Sequence, residues 1–212
     1  MSFSMSKSFA ASLVAVLGIS SASFGAILIT NGDFETGPSY PSAPTGWTTA
    51  GITGITTVTA GTAAWDTLPN GATSGTDKAA FFSNSSLLRQ ANIGTFQTGT
   101  QYQLSFQYGD PKTINNAFTL SYNVFGFDGS VHGFLAGALT PADFTPGNWK
   151  TKTVSATAVA ALNGMPIYVD FSIGSGSQPY IDNVSFQAVP EPTSLGLAGA
   201  GALLMARRRR RA

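Results

Sequence analysis

The feature that most constrains the fold is a strict two-residue alternation of apolar and polar side chains. In residues 101–108, four large apolar residues alternate with glutamine and serine, and residues 117–125 and 167–173 repeat the pattern. Successive side chains of a β-strand point to opposite faces, so this period is typical of half-buried antiparallel strands. Turn-forming pairs separate the runs: Asn70-Gly71, Asp110-Pro111, Asp128-Gly129, Pro146-Gly147 and Asn163-Gly164.

Weaker strand patterns bring the predicted total to about ten, and only residues 159–163 have a helical pattern. Many short strands with turns between them predict an all-β fold, a single antiparallel β-sandwich of jelly-roll type over residues 26–188. The weaker strands are expected at residues 26–30, 55–60, 78–83, 87–92, 131–139, 149–156 and 180–186.

Composition excludes several classes of chemistry. The chain has no Cys and one His, His132, which rules out zinc fingers, iron–sulfur clusters, disulfide scaffolds and thiol nucleophiles. Residues 26–189 hold five basic and nine acidic residues, a net charge of −4. Nucleic acid is therefore excluded as an expected partner, because most of the basic residues lie in the terminal segments and not on a folded face.

The N-terminus has the three parts of a secretory signal peptide. Lys7 supplies positive charge, residues 9–19 form an apolar stretch, and residues 20–26 are mostly small. Residues 1–25 are predicted to be the signal peptide, with cleavage after Gly25.

The C-terminal segment, residues 189–212, combines three features. Pro190, Glu191 and Pro192 precede 14 mostly apolar residues, 193–206, and five consecutive arginines follow. The apolar part is shorter than the ~20 residues that span a bilayer comfortably. We expect a short hydrophobic transmembrane helix that anchors the protein transiently, with the arginines on the cytoplasmic side; a permanent anchor is the alternative.

These three features in this order resemble the PEP-CTERM sorting signal of exported bacterial proteins. The resemblance implies that an exosortase is a partner and cleaves near Pro190, Glu191 and Pro192. It also implies that the processed protein reaches the outer surface or extracellular matrix of a Gram-negative bacterium, in connection with biofilm or exopolysaccharide.

A second resemblance lies within the domain. The opening Asn31-Gly32-Asp33-Phe34-Glu35 with Gly46-Trp47, and the closing residues 180–186 (YIDNVSF), are similar to galactose-binding-like jelly rolls, which include carbohydrate-binding modules. The resemblance implies a structural calcium with Glu35 and Asp182 as ligands and with Asp33 and Asn31 as weaker candidates. The alternative is that these side chains only bond to the backbone.

Sugar binding requires exposed aromatic rings and polar side chains. Trp47 and Trp149 are interpreted as structural because each begins a strand, whereas Trp65 lies among loop residues and is the candidate for an exposed ring. Tyr168, Asp170 and Ser172 alternate with the core set of their strand, so we expect them to line a concave polar sheet together with the glutamines of residues 101–108. A plainly solvated face is the alternative for this set.

No catalytic motif is present in the sequence, and no spacing selects a pair of carboxylates. The expected function is therefore non-enzymatic: a structural or adhesive surface protein with weak contact to exopolysaccharide. Two alternatives stay open, a lectin-like module with a defined sugar site and a small polysaccharide-active enzyme. Converging carboxylates in a cleft would favour the enzyme.

Overall fold

The computed structural model describes residues 29–113, 118–176 and 178–189. The predicted signal peptide and residues 190–212 of the sorting segment lie outside these ranges. Eight strands carry the fold, and two short 3-10 helices, Pro141–Asp143 and Ala160–Leu162, lie in loops. The strands are β1 (Thr48–Thr59), β2 (Thr76–Gln90), β3 (Gln101–Gly109), β4 (Leu120–Phe127), β5 (Val131–Leu139), β6 (Trp149–Thr157), β7 (Ile167–Ile173) and β8 (Tyr180–Val189).

The strands form one antiparallel path in the order β5-β4-β7-β2-β8-β3-β6, with β1 paired to β2. The C-terminal half of β2 pairs with β7, through partners such as Arg89 and Asp170. Its N-terminal half pairs with β8, through Ala80 and Ile181. Strand β2 therefore belongs to two layers: layer A is β5-β4-β7 with the second half of β2, and layer B is the first half of β2 with β8-β3-β6.

Ring contacts show that layer A is folded over layer B. Phe106 of β3 and Phe171 of β7 have centroids 4.9 Å apart, and Phe106 also meets Tyr122 of β4 at 5.3 Å. In a flat sheet, β3 and β7 would be three strand spacings apart, about 14 Å. The close contact therefore requires two packed layers, and the predicted β-sandwich of jelly-roll type is confirmed.

The passage of β2 between layers requires a bend. Asn84 and Ser85 have positive φ angles of 34° and 50° at the middle of β2, and the register of β1 shifts beside them, between Ala50 and Ile52. Gly51 stands in that shift with φ +75°, and a Cβ there would lie 2.6 Å from the carbonyl oxygen of Ser85. The bend also explains why the sequence pattern predicted two strands where the structure has one.

The core follows the predicted alternation. Tyr102, Leu104 and Phe106 of β3 are buried, as are Val169 and Phe171 of β7.

Near the N-terminus, Trp47 is buried as expected and its indole N–H donates to the backbone oxygens of Thr30 and Asn31. The predicted strand at residues 26–30 is not formed at residues 29 and 30; the rest of it lies outside the described residues.

A second, smaller cluster covers the other end of layer B. Trp65 stacks on Trp149 with centroids 5.1 Å apart, and Tyr180 meets Trp65 edge-on at 5.1 Å. Gly109 lies beneath both indoles: a Cβ there would lie 2.8 Å from Trp149 and 2.9 Å from Trp65. The loop between β1 and β2 is therefore packed down onto the sandwich by its tryptophan.

Candidate functional site

The outer face of layer A presents the most varied set of side chains. Strand register places Asp170 of β7 between Arg89 of β2 and Asn123 of β4, and it places Tyr168 opposite Phe125. All of these face away from the core set of β7, as the alternation in residues 167–173 predicts. Tyr168 and Asp170 therefore share a face with residues from two neighbouring strands.

Arg89 and Asp170 form a two-point ion pair at the centre of this face. Arg89 Nε donates to Asp170 Oδ1 at 2.7 Å, and Arg89 Nη2 donates to Oδ2 at 2.6 Å. The hydrogen bonds to Asp170 raise the pKa of Arg89, against an opposing effect of partial burial. The Asp170 side chain is 10% exposed and the Arg89 side chain 38%, so Arg89 is the partner that reaches solvent.

Aromatic rings adjoin the ion pair. Tyr168 stacks on Phe125 at 5.3 Å, and Phe127 meets Tyr168 edge-on at 5.5 Å. The Arg89 guanidinium carbon lies 5.4 Å from the Phe125 centroid and 6.0 Å from that of Tyr168, within cation–π range. Strands β2, β4 and β7 thus build one array of rings and charged groups, which we call the Arg89 face.

A shallow depression of about 240 Å³ opens beside the pair. Its wall includes both members of the ion pair, and Asn123 supplies an amide. The remaining wall is apolar, from β4 and from the edge strand β5: Val124, Phe125, Val131, Gly133, Leu135 and Ala136. The depression therefore offers hydrogen-bonding groups against an apolar surface.

Two expectations about sugar-binding residues are wrong. Trp65 was expected to be exposed, but it is 5% exposed because Trp149 and Tyr180, distant in sequence, cover its ring. The glutamines of β3 do not share a face with Tyr168, because β3 lies in layer B and its polar side points outward on the opposite side of the sandwich. Tyr168 and Asp170 keep their candidate role, which the structure leaves as a prediction.

Sequence analysis did not identify Arg89. Two signals were available: Arg89 is the only arginine of residues 26–189, and it alternates with the apolar Leu88 in a strand pattern. Its pairing with Asp170 is not visible in the sequence, because the two are 81 residues apart.

The two carboxylates expected to bind calcium interact electrostatically: Glu35 lies in the segment before β1, and Asp182 lies near the start of β8. Asp77, also missed in the sequence, shares a side-chain hydrogen bond with Glu35. That bond is the main cause that lowers the pKa of Glu35, whereas burial and the same bond raise the pKa of Asp77 to about 6. Lys78 N–H also donates to Glu35 Oε1 at 3.0 Å.

Asp182 is the buried member of this group. It is 1% exposed, and its Oδ1 has no hydrogen-bond partner. Burial, with added repulsion from Asp77, Glu35 and Asp33, raises its pKa to about 8, against a backbone bond from Asn183. A buried oxygen with no donor is the kind of group that a cation would satisfy.

The weaker ligand candidates differ in their bonding. Asn31 is committed to its own loop, since its amide donates to Thr36 O at 2.7 Å and its oxygen accepts from Thr36 N. Asp33 accepts only a long bond, 3.4 Å, from Glu35 N. Across the described ranges, no three His, Cys, Asp or Glu side chains stand together as a complete metal site.

Strand β8 leads directly into the C-terminal segment, where Val189 is followed by Pro190, Glu191 and Pro192. Residues 188–211 match the PEP-CTERM protein-sorting motif. The chain thus carries a PEP-CTERM motif, which indicates an exported, exosortase-processed protein. Among the helices of the described residues, none is long and apolar enough to cross a membrane; the apolar part of the PEP-CTERM motif lies outside them.

Solved structures similar to this chain show its fold. A cyclase from Fischerella sp. TAU, in complex with 4-(1H-indol-3-yl)butan-2-one, is 17% identical, with a TM-score of 0.62 over 78% of this chain and 98% of that one. The apo form of a cyclase from Fischerella sp. is 18% identical, with a TM-score of 0.62 over 80% and 98%. An arabinose-bound α-L-arabinofuranosidase, MgGH51, is 13% identical, with a TM-score of 0.52 over 78% and 27%. No curated protein matches the sequence.

Proposed function

We propose that the chain is a non-enzymatic protein of the cell surface or extracellular matrix that binds exopolysaccharide weakly through the Arg89 face. One observation supports this most: a guanidinium held by a carboxylate lies beside stacked rings and a shallow depression. Aromatic rings can cover the apolar C–H face of a sugar, while a guanidinium and an amide can bond to neighbouring hydroxyls.

The structure suggests distinct roles within the face. Tyr168, backed by Phe125, is the stacking ring, and Phe127 extends the apolar surface at its edge. Arg89 reaches solvent, so it is the donor to ligand, and the nearly buried Asp170 orients it. Because the ion pair carries no net charge, a neutral, hydroxyl-rich glycan fits this face best.

Weak affinity is expected from so open a site. A single site with a dissociation constant of roughly 0.1–1 mM corresponds to about 4–5.5 kcal/mol. Many copies on one surface would increase the overall affinity without any new contact. Binding is therefore expected with polymeric or surface-displayed glycan, and only weakly with monosaccharides.

The test is co-sedimentation of purified protein with insoluble exopolysaccharide from the producing cells. Tyr168→Ala should weaken binding several-fold while circular dichroism stays unchanged. Gln103→Ala, on the outer face of layer B, is the matched control and should bind like the wild type. Equal binding by Tyr168→Ala and wild type would contradict the proposal; equal losses in both variants would indicate non-specific adhesion.

We also propose a structural calcium ion held by Asp182 and Glu35, with backbone carbonyls completing the shell. The partnerless Oδ1 of Asp182 favours it, and hard carboxylate and carbonyl oxygens are the ligands that calcium prefers. The ion would join the segment around Glu35 to β8, and it would neutralise the repulsion between the Glu35 and Asp182 carboxylates. The ion would have no part in glycan contact.

A small polysaccharide-active enzyme remains the alternative function. Its specific requirement is two carboxylates flanking a bound sugar. On the Arg89 face the described residues supply one, Asp170, and both of its oxygens are bonded to Arg89. Release of reducing sugar from the cells' own polysaccharide would favour the enzyme and contradict our proposal.

A further inference from the structure

Strand β8 delivers the C-terminal segment to one particular end of the sandwich. Its last residue, Val189, is paired with Gln101 at the start of β3, and Gln101 is paired in turn with Thr157 at the end of β6. The chain thus leaves the domain at the edge where β3 begins and β6 and β8 end. We call this the tail end.

Hydrogen bonds bring three further loops to the tail end. Ala158 N donates to Thr100 O at 2.9 Å, and Ile167 N donates to Gly94 O at 2.9 Å. Ile167 is also paired with Gly126, next to the β4–β5 turn. The tail end therefore consists of Val189 and the loops at residues 91–100, 127–131 and 158–166.

Exposed apolar side chains concentrate at the tail end. Five large apolar residues in the described part of the chain are markedly exposed, and three of them are here: Val131 at 67%, Val159 at 60% and Phe127 at 37%. They come from two separate loops. Exposure of valine and phenylalanine is unfavourable in water, so three such side chains at one end of the sandwich favour a contact surface there.

Charged residues, in contrast to the exposed apolar ones, are few at the tail end and more numerous at the other end of the sandwich. The three tail-end loops contain one charged residue, Asp128, which is bonded to His132 at 2.9 Å. The opposite end carries the Asp66–Lys112 ion pair, at 2.6 Å, and Lys150, whose Nζ donates to the backbone oxygen of Asp143 at 2.7 Å. The sandwich thus carries charged pairs at one end and a single charged residue in the loops of the end from which the sorting segment leaves.

The sequence places the apolar part of the sorting segment very close to this end. Three residues, 190–192, separate Val189 from the apolar residues 193–206. Fully extended, three residues span about 11 Å at most. If residues 193–206 enter the bilayer, as the transient anchor expected from the sequence requires, the tail end is held within about one headgroup layer of the hydrocarbon.

We propose that the tail end is a membrane-contact surface, on which Val131, Val159 and Phe127 rest against the lipid bilayer while the precursor is anchored. The inference rests on transient anchoring by the sorting segment, which we predicted from the sequence and propose here as its premise. So few side chains would not hold a free domain on lipid, but a short tether raises their effective concentration at the surface. Cleavage near Pro190 to Pro192 removes the tether, so the processed domain leaves the bilayer. Phe127 and Val131, which also border the Arg89 face, then become accessible to glycan.

The absence of cysteine allows a direct test. An environment-sensitive dye is attached to single cysteines in the chain with its sorting segment intact. The cysteines replace the exposed tail-end residues Ser130 and Ala160 and, on the opposite end, the exposed Thr145. The chain is reconstituted in vesicles of phosphatidylethanolamine and phosphatidylglycerol, and flotation measures anchoring separately. If the tail end contacts lipid, the dye at S130C and at A160C should show blue-shifted emission that a lipid-borne quencher reduces. The dye at T145C should show neither effect.

A second set of variants tests the apolar residues themselves. Val131→Asp with Val159→Asp should abolish the blue shift at both tail-end positions without changing flotation, and Thr73→Asp, an exposed control, should change neither. If the chains float with the vesicles but the dye emits identically at all three positions, the contact of the tail end with lipid would be refuted while anchoring would still hold. A chain that does not float would overturn both proposals. A blue shift seen only when exosortase is present would overturn lipid as the partner in favour of the enzyme.

Discussion

Arg89 and Asp170 are directly opposite each other on β2 and β7, and two hydrogen bonds of 2.7 and 2.6 Å join their side chains. The contact fixes the guanidinium within 6.0 Å of the centroids of the stacked Phe125 and Tyr168 rings, and beside the Asn123 amide that lines the depression. Loss of either partner should therefore affect both stability and ligand binding, to different extents.

Replacing Arg89 with Met should leave the Asp170 carboxylate nearly buried and without its partner. Urea unfolding should show a loss of about 1–3 kcal/mol, because an unsatisfied buried group keeps its desolvation cost. The double variant Arg89→Met/Asp170→Leu should recover part of this loss, since neither charge remains. Both variants should lose glycan binding. Unchanged stability in Arg89→Met would show that the pair is fully solvated.

Stability without metal should fall as pH rises from about 4 to about 8. The pKa of Asp182 is about 8 in the folded protein, against an ordinary value of 3.8, so the folded state binds the proton more tightly. The resulting stabilisation is complete below pH 3.8 and is lost as pH rises towards 8. Asp77, with a pKa raised to about 6, also makes the folded state more stable at low pH. Glu35 has the opposite effect on stability below pH 4.5, because its pKa is lowered in the folded state.

Calcium should remove this decline in thermal melting experiments, because it stabilises the ionised carboxylates. At a ~100-fold excess over its dissociation constant, bound calcium is worth about 2.7 kcal/mol. Asp182→Asn serves as the control: it should reduce the decline with pH and abolish the response to calcium. Matching melting curves in calcium and in chelator at pH 8 would argue against the site.

Gly109→Ala should destabilise the sandwich by about 1–3 kcal/mol, since the added methyl would overlap two indole rings that cannot easily move. Gly133→Ala is the matched control, because a Cβ at that β-strand position meets nothing within 4 Å. The free energy of unfolding from urea titration distinguishes them. Equal values for the two variants would mean that the Trp65–Trp149 stack shifts freely.

Alanines in place of Pro190, Glu191 and Pro192 should leave an unprocessed precursor in the membrane fraction, because the PEP-CTERM motif would no longer be recognised. In wild-type cells, mass spectrometry of the surface protein should find no Arg207 to Arg211. An intact arginine tail on the mature surface protein would refute cleavage. The same substitutions should leave the folded domain's circular dichroism unchanged.

The alternation of side chains alone was enough to predict the all-β fold, the buried set of β3 and β7, and the outward face of Tyr168 and Asp170. The PEP-CTERM motif was likewise readable, because it is a local signal of contiguous residues. These predictions hold because a strand's two-residue period assigns each side chain to a face without reference to any other strand.

Only the tertiary structure decided which strands are neighbours and which side chains meet. Arg89 pairs with Asp170, Trp149 covers Trp65, and Asp77 joins Glu35. In the same way, the glutamines of β3 and Tyr168 of β7 lie on opposite sides of the molecule. The physical reason is that period two is the same for every strand, whereas strand order, the bend in β2 and loop packing arise from contacts between residues far apart in the chain.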